Sequence, residues 1–276
     1  MDESTAGERL QKVLAGLGLG SRREIETWIG TERIRVNGEL AHLGQRVSDD
    51  DVVEVDGRRV NIQRTSTTEV LVLNKAGGTV CTRSDPEGRK TIYADLPQLR
   101  HGRWISVGRL DIQTSGLLLL TNDGQLANRL THPSTGLDRE YAVRINRKLE
   151  DEELTQLKAG VESEGETLRF SDIRYYNGSD NNVWYHVVLM EGKNREVRRL
   201  FEAIGCVVSR LKRVRYGPVI LPSWLRNGQW ASMTRSDVRQ IHRMLDLPYQ
   251  VPKKSITKAS KVAKTSCLLP YPKLGN

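Results

Sequence analysis

The sequence predicts an α+β protein built from a small helix-and-hairpin domain, a polar linker and a larger, strand-rich domain. Three observations carry this reading. Within the first sixty residues, two helical periodicities are followed by two tight hairpins. Between Val70 and Tyr216, short continuous or alternating apolar runs outnumber helical ones. The length, 276 residues, suits about two domains of roughly 100–200 residues each.

Residues 1–8 are acidic and small and read as a flexible N-terminus. Leu10, Val13, Leu14 and Leu17 then follow the i, i+3, i+4, i+7 spacing of a helix, and Gly16, Gly18 and Gly20 punctuate its end. Gly-Leu-Gly-Leu-Gly has no preceding strand and a misplaced third glycine, so it reads as a turn rather than a dinucleotide loop. Ser21-Arg-Arg-Glu24 has the form of a capping box opening a second helix that buries Ile25, Trp28 and Ile29. Ile34–Leu40 and Val52–Val60 read as hairpins turning at Asn37-Gly38 and Asp56-Gly57. The first domain is therefore placed at 9–62 and a linker at 63–69, where Gln63-Arg-Thr-Ser-Thr-Thr-Glu69 is polar and aperiodic. The second domain, 70–247, opens on the buried strand Val70-Leu-Val-Leu73 and continues through Trp104–Val107, Leu117–Leu120, Arg139–Ile145, Phe170–Tyr176, Val183–Met190 and Cys206–Tyr216. Helices are expected near Asp151–Lys158 and after Glu191, where Val197, Leu200, Phe201 and Ile204 recur. Residues 248–276 hold six lysines, four prolines and no acid, and read as a disordered basic tail.

Composition removes several function classes. A formal charge of +9 and a pI near 9.6 point to a polyanionic partner, nucleic acid before anionic lipid because no amphipathic anchor is evident. No apolar run approaches the roughly 18 residues that span a bilayer, and the N-terminus lacks the basic and apolar regions of a signal peptide. A cytoplasmic protein without membrane contact is expected. Cys81, Cys206 and Cys267 are far apart and form no Cys-x-x-Cys pair, so neither a disulfide framework nor a zinc site is indicated. Phosphate-loop, zinc-helix and serine-hydrolase motifs are absent. Asp111, Asp123 and His132 would make a poor magnesium site, since hard cations gather several carboxylates and Asn122-Asp-Gly124 reads as a turn. No metal and no cofactor are expected.

What remains is the stretch from Val107 to Gly124, a polar, glycine-bounded loop between two apolar runs. Such a loop can present Asp111 and Arg109 at a fixed place, although an aspartate there can also simply cap the next element. Gly108-Arg-Leu-Asp-Ile-Gln-Thr-Ser-Gly-Leu-Leu-Leu-Leu-Thr-Asn-Asp-Gly124 resembles the central motif of the RsuA/RluB/E/F group of pseudouridine synthases. Lys75 with Gly77 resembles that group's first motif, Glu140-Tyr141 the one after the centre, and Gly192-Lys-Asn-Arg-Glu-Val-Arg-Arg199 the last. The group often has proline after the first-motif lysine, where this chain has Ala76. Arg9-Leu-Gln-Lys-Val-Leu, Ser21-Arg-Arg-Glu and Arg35-Val-Asn-Gly38 resemble the S4 RNA-binding domain. That domain and Cys81-Thr-Arg-Ser-Asp-Pro-Glu-Gly-Arg89 favour the large-subunit branch of the group.

The resemblance implies an S4-like domain followed by a catalytic domain with a mixed, mainly antiparallel sheet and a central cleft. It implies isomerisation of a uridine in rRNA, in a 23S hairpin or pre-50S particle, with base flipping, no cofactor and a monomeric enzyme. Asp111 would be the catalytic aspartate, Tyr141 the ring packed on the uracil and Arg198 the cation beside Asp111. Arg109 would take the vacated base position or hold the displaced strand. Arg9, Lys12, Arg22, Arg23, Arg35, Lys75, Lys193 and Arg195 are the expected RNA contacts. Charge segregation supports the S4 helices: residues 9–35 hold six Lys/Arg against three acids, and residues 36–60 three against six. The alternative is a non-catalytic S4-type ribosome-assembly factor in which Asp111 is only a loop cap.

Overall fold

The first domain folds as its local signals dictate. In the computed structural model, which describes residues 7–62, 67–99, 102–249 and 264–271, β1 (Glu8–Arg9), α1 (Leu10–Gly16) and α2 (Arg22–Gly30) precede β2 (Ile34–Val36), β3 (Glu39–Leu40), β4 (Arg46–Val47), β5 (Val53–Val55) and β6 (Arg58–Val60). The capping box forms: Glu24 N–H donates to Ser21 Oγ at 3.1 Å and Ser21 N–H to Glu24 Oε2 at 2.6 Å. Asn37-Gly38 and Asp56-Gly57 all have positive φ, as a two-residue hairpin turn demands. Leu10, Leu14, Ile25 and Ile29 from the helices meet Ile34, Val36 and Val53 from the strands in one small core. The glycine turn after α1 packs backbone to backbone against the larger domain: a Cβ on Gly18 would lie 2.7 Å from Gly102 O.

The larger domain is organised on one mixed sheet. Its strands are β7 (Val70–Lys75), β8 (Ile105–Ser106), β9 (Ser115–Thr121), β10 (Arg139–Ile145), β13 (Asp172–Ser179), β14 (Asn182–Leu189), β15 (Val208–Tyr216), β16 (Val219–Ile220), β17 (Trp230–Met233) and β18 (Lys264–Thr265). A separate hairpin is formed by β11 (Val161–Ser163) and β12 (Glu166–Leu168). The main order is β13-β14-β10-β15-β9-β7-β17-β18, in which β15/β9 and β17/β18 run parallel and the other described neighbours antiparallel. The helices are α3 (Gly124–Thr131), α4 (Asp151–Ala159), α5 (Glu196–Glu202) and α6 (Arg235–Met244).

The continuous apolar runs follow from coverage of both sheet faces. Leu71, Leu73, Leu118 and Leu120 point into a core shared with Trp104 and Leu110. Val70, Val72, Leu117 and Leu119 face the opposite core, filled by α3 and α6. At the junction of the two half-sheets, β15 and β9 pair only through Lys212–Ser115 and Arg213–Gly116. Beyond that point the ladder is replaced by side chains. Arg213 Nε donates to Leu117 O at 2.8 Å and Ser115 Oγ to Leu211 O at 3.3 Å. Gly116 has φ +101°, and a Cβ there would lie 2.2 Å from Arg213 O. Gly116→Ala is therefore expected to cost about 3 kcal/mol, the upper end for overpacking, read as a lower urea midpoint at unchanged m-value.

Two boundary readings need correction. The tail does not stay outside the fold at 264–271: Met233 pairs with Thr265, Cys267 is buried beside α6, and Leu268 bridges to Val219. Its basic, proline-rich composition hides the short apolar segment Cys267-Leu-Leu269. Of the linker, residues 67–69 are tied down, with Glu69 N–H on Asn122 Oδ1 at 2.8 Å and Asn122 Nδ2 on Thr67 O at 3.0 Å. Residues 1–6, 63–66, 250–263 and 272–276 of the N-terminal, linker and tail readings lie outside the described residues.

Candidate active site

The central cleft lies where the half-sheets part. A cavity of about 510 Å³ is lined there by Arg109, Asp111, Tyr141, Arg139, Arg213 and the 189–197 segment, among others. Its floor is the Gly108–Thr114 loop, held from two sides. The Lys75 ammonium donates to four carbonyls: Thr114 at 2.8 Å, Ala76 and Asp111 at 3.1 Å, and Ile112 at 3.2 Å. Cys81 Sγ donates to Leu110 O at 3.3 Å and accepts Leu110 N–H at 3.5 Å. Lys75, expected as an RNA contact, is 1% exposed and cannot touch RNA. Burial pushes its pKa below the ordinary lysine range, opposed by the charges of Cys81 and Asp111.

The loop presents Asp111 half-buried, with its carboxylate making no hydrogen bond or ion pair among the described residues. The capping alternative fails here, because the cap of the next helix is Asp123. Its carboxylate accepts Gln125 N–H at 2.8 Å and Leu126 N–H at 3.1 Å. Burial raises the Asp123 pKa, but the nearby His242 ring and hydrogen bonds from Leu126, Gln125 and Thr68 outweigh it and bring it to about 2. Tyr141, 8% exposed, lines the cavity from β10 beside a register shift between Glu140 and Tyr141; bulges often re-aim side chains next to active sites. Arg109 is exposed at the rim with no hydrogen bond or ion pair among the described residues.

Arg198 stands differently from expectation. It does not line the cavity, forms no ion pair with Asp111 within 4 Å, and donates from Nη1 to Val208 O at 2.9 Å. Burial lowers its pKa, as does the charge of Arg195, while the Asp111 charge acts in the opposite sense. It is a half-buried cation of α5 whose charge acts on Asp111 without a direct contact. Lys193 and Arg195 do reach the cavity, within 3.6 Å of Glu191 and 3.0 Å of Glu202 respectively.

Arg139 and Arg213 were missed as site residues. Their guanidinium carbons lie 5.1 and 5.0 Å from the Tyr216 ring centroid, and both line the cavity. Their signals, a basic residue before Glu140-Tyr141 and one cation among four in Arg210–Arg215, gave no hint of which side chains face inward.

On the smaller domain, Arg9, Arg22, Arg23 and Arg35 are exposed. Arg22 and Arg23 have no hydrogen-bond or ion-pair partner among the described residues, whereas Lys12 is engaged by Glu8 at 2.5 Å and Arg35 by Gly38 O at 2.9 Å.

Comparison with known proteins agrees with this architecture. The family model for RNA pseudouridylate synthase matches residues 69–203, and the S4 domain model residues 8–53. The chain is 55% identical over 235 residues to ribosomal large subunit pseudouridine synthase B of Pseudomonas aeruginosa, across 84% of this chain and 61% of that protein. To the protein of the same name from Haemophilus influenzae it is 47% identical, across 94% of this chain and 74% of the relative. This chain therefore spans less than two thirds of the Pseudomonas relative's length. A crystal structure of a pseudouridylate synthase superposes with a TM-score of 0.59 at 27% identity, over 85% of this chain and 100% of the other. With its split sheet, its central cavity and these relatives, the chain belongs to the RNA pseudouridylate synthase family and carries an S4 domain ahead of the catalytic one.

Proposed function

We propose that this chain isomerises a uridine of large-subunit rRNA to pseudouridine, with Asp111 as the reactive group. The observation that carries the reading is an aspartate whose carboxylate has no partner among the described residues, fixed by a buried lysine and facing a cavity shared with Tyr141. In the reaction the N1–C1′ bond breaks, the uracil turns over, and C5 joins C1′; C5 loses a proton and N1 gains one. No redox equivalent is consumed, and an ionised carboxylate beside base and ribose serves as nucleophile or proton acceptor.

Tyr141 offers a stacking face to the uracil, a contact typically worth about 1–3 kcal/mol. The base must leave its stack to reach the cavity, and Arg109, exposed and unpartnered among the described residues, would hold the vacated position. Arg198 supplies positive potential to Asp111 without a direct contact, while Lys193 and Arg195 line the cavity for the backbone. Asp111, Tyr141 and Arg109 all come from one chain, so a monomer suffices. A ribosomal RNA substrate would place the chain in the cytoplasm. No helix among the described residues is long and apolar enough to cross a membrane.

The S4 helices bring the RNA. Replacing both Arg22 and Arg23 by alanine is expected to weaken rRNA binding and flatten its log–log salt dependence by about 1.4–1.8, given slopes of roughly 0.7–0.9 per phosphate contact. Filter binding across several KCl concentrations checks this, and an unchanged slope would remove these arginines from the interface. The function itself is tested by tritium release from rRNA labelled at uridine C5. Release from large-subunit transcripts and not from small-subunit ones is expected; no release from any rRNA would favour the assembly-factor reading.

A further inference from the structure

Among the described residues, the helices leave one part of the sheet uncovered. Helices α4 and α5 pack on the cavity side of the β13-β14-β10-β15 half, whereas α3 and α6 cover the opposite side over β7, β9, β17 and the Tyr216 end of β15. Because side chains alternate along a strand, the residues between the cavity-lining ones emerge on the back of this half-sheet. Ala142 and Val188 stay half-exposed at its centre.

That back face is not an ordinary solvated surface. Tyr176 is 64% exposed, and its ring centroid lies 5.2 Å from that of His186. Arg144 sits 6.0 Å over the Trp184 ring, pairs in register with Trp184 on one side and with Arg210 on the other, and hydrogen-bonds Ser209. Lys212 continues the row opposite Ala142. The nearby acids are consumed: Glu140 is held by His186 at 2.7 Å and Arg215 at 2.9 Å, and Asp172 by Arg174 at 2.7 Å. Arg144, Arg210 and Lys212 have no carboxylate partner among the described residues.

We propose that this face binds a second, single-stranded segment of RNA, remote from the cavity. Bases stack on Tyr176, His186 and Trp184, and phosphates lie on Arg144, Arg210 and Lys212. Three uncompensated cations interleaved with three rings match a chain of alternating phosphates and aromatic bases. An apolar protein partner would leave those charges without counterions. The sheet separates this surface from Asp111, so the site extends the enzyme's grip on a large RNA without entering the reaction.

The test is a binding measurement, independent of catalysis, using fluorescence anisotropy of a labelled single-stranded oligouridine at several KCl concentrations. The triple variant Arg144→Glu, Arg210→Glu, Lys212→Glu is expected to bind at least about tenfold more weakly, with a salt slope shallower by about 2 for three lost phosphate contacts. Tyr176→Ala, at an exposed position, is expected to lose about tenfold in affinity, with Tyr176→Phe restoring it, since stacking on one ring is worth about 1–3 kcal/mol. Circular dichroism of each variant checks that the sheet is intact. Wild-type affinity and slope in the folded triple variant, or wild-type affinity for Tyr176→Ala, would overturn the proposal. Neither outcome bears on uridine isomerisation at Asp111.

Discussion

Lys75→Met is expected to damage both the fold and the reaction, although Lys75 touches no RNA. The ammonium lies within 2.8–3.2 Å of four carbonyls, three of them in the 111–114 segment. Asp111 O and Ile112 O keep the backbone donors Thr114 N–H and Gly78 N–H, so the methionine does not orphan every acceptor. Hydrogen bonds to a charged donor contribute about 1.5–3 kcal/mol each and do not add within one network, which puts the expected loss near 3 kcal/mol. Urea unfolding should show it as a lower midpoint. The larger effect is on turnover: without the ammonium nothing gathers those carbonyls, and a displacement of about 1 Å at Asp111 is enough for roughly a 100-fold fall in kcat. Single-turnover tritium release at saturating enzyme separates this from RNA affinity, which should hardly change. Normal kcat in a destabilised variant would mean that Lys75 only holds the fold.

Much of this architecture is legible because it is local. The capping box at Ser21, the Asn-Gly and Asp-Gly turns and the strand Arg139–Ile145 all lie where the residues place them. Val70-Leu-Val-Leu73 reads as a buried strand because both of its faces meet a core. What escapes reading is non-local. A lysine in Asn74-Lys-Ala-Gly-Gly looks like a surface cation, and only carbonyls nearly forty positions later bury it. Arg213 becomes a site residue at the β9/β15 junction and Arg139 at the start of β10, between Leu189 and Tyr216, through strand pairings that no single segment encodes. Arg198, on α5, bonds Val208 O and makes no ion pair with Asp111 within 4 Å. Helix α6 is a different case: Thr234 caps it through Asp237 N–H at 3.2 Å, and Val238, Ile241 and Leu245 keep helical spacing, so its signal was present. In the tail, one apolar turn among lysines and prolines is too little signal to reveal a strand paired with β17.

Asp111→Asn carries the largest expected effect on the reaction and almost none on the fold. The amide matches the carboxylate in volume, and no hydrogen bond or ion pair among the described residues depends on the charge, so stability should stay within about 0.5 kcal/mol of wild type. The amide is neither an effective nucleophile nor a proton acceptor. Loss of such a group removes at least the 10²–10⁴-fold that acid–base catalysis typically contributes, and more, roughly, if a covalent step is involved. The Lys75 network is built on backbone carbonyls and remains in place, which leaves the chemistry alone to change.

The direct measurement is therefore release of tritium from large-subunit rRNA labelled at uridine C5, run side by side for the wild-type chain and Asp111→Asn at RNA concentrations where both are saturated. If Asp111 is the reactive group, the wild type releases label from a discrete uridine and the variant binds the same RNA without releasing it. Release by the folded variant at the wild-type rate would contradict that assignment.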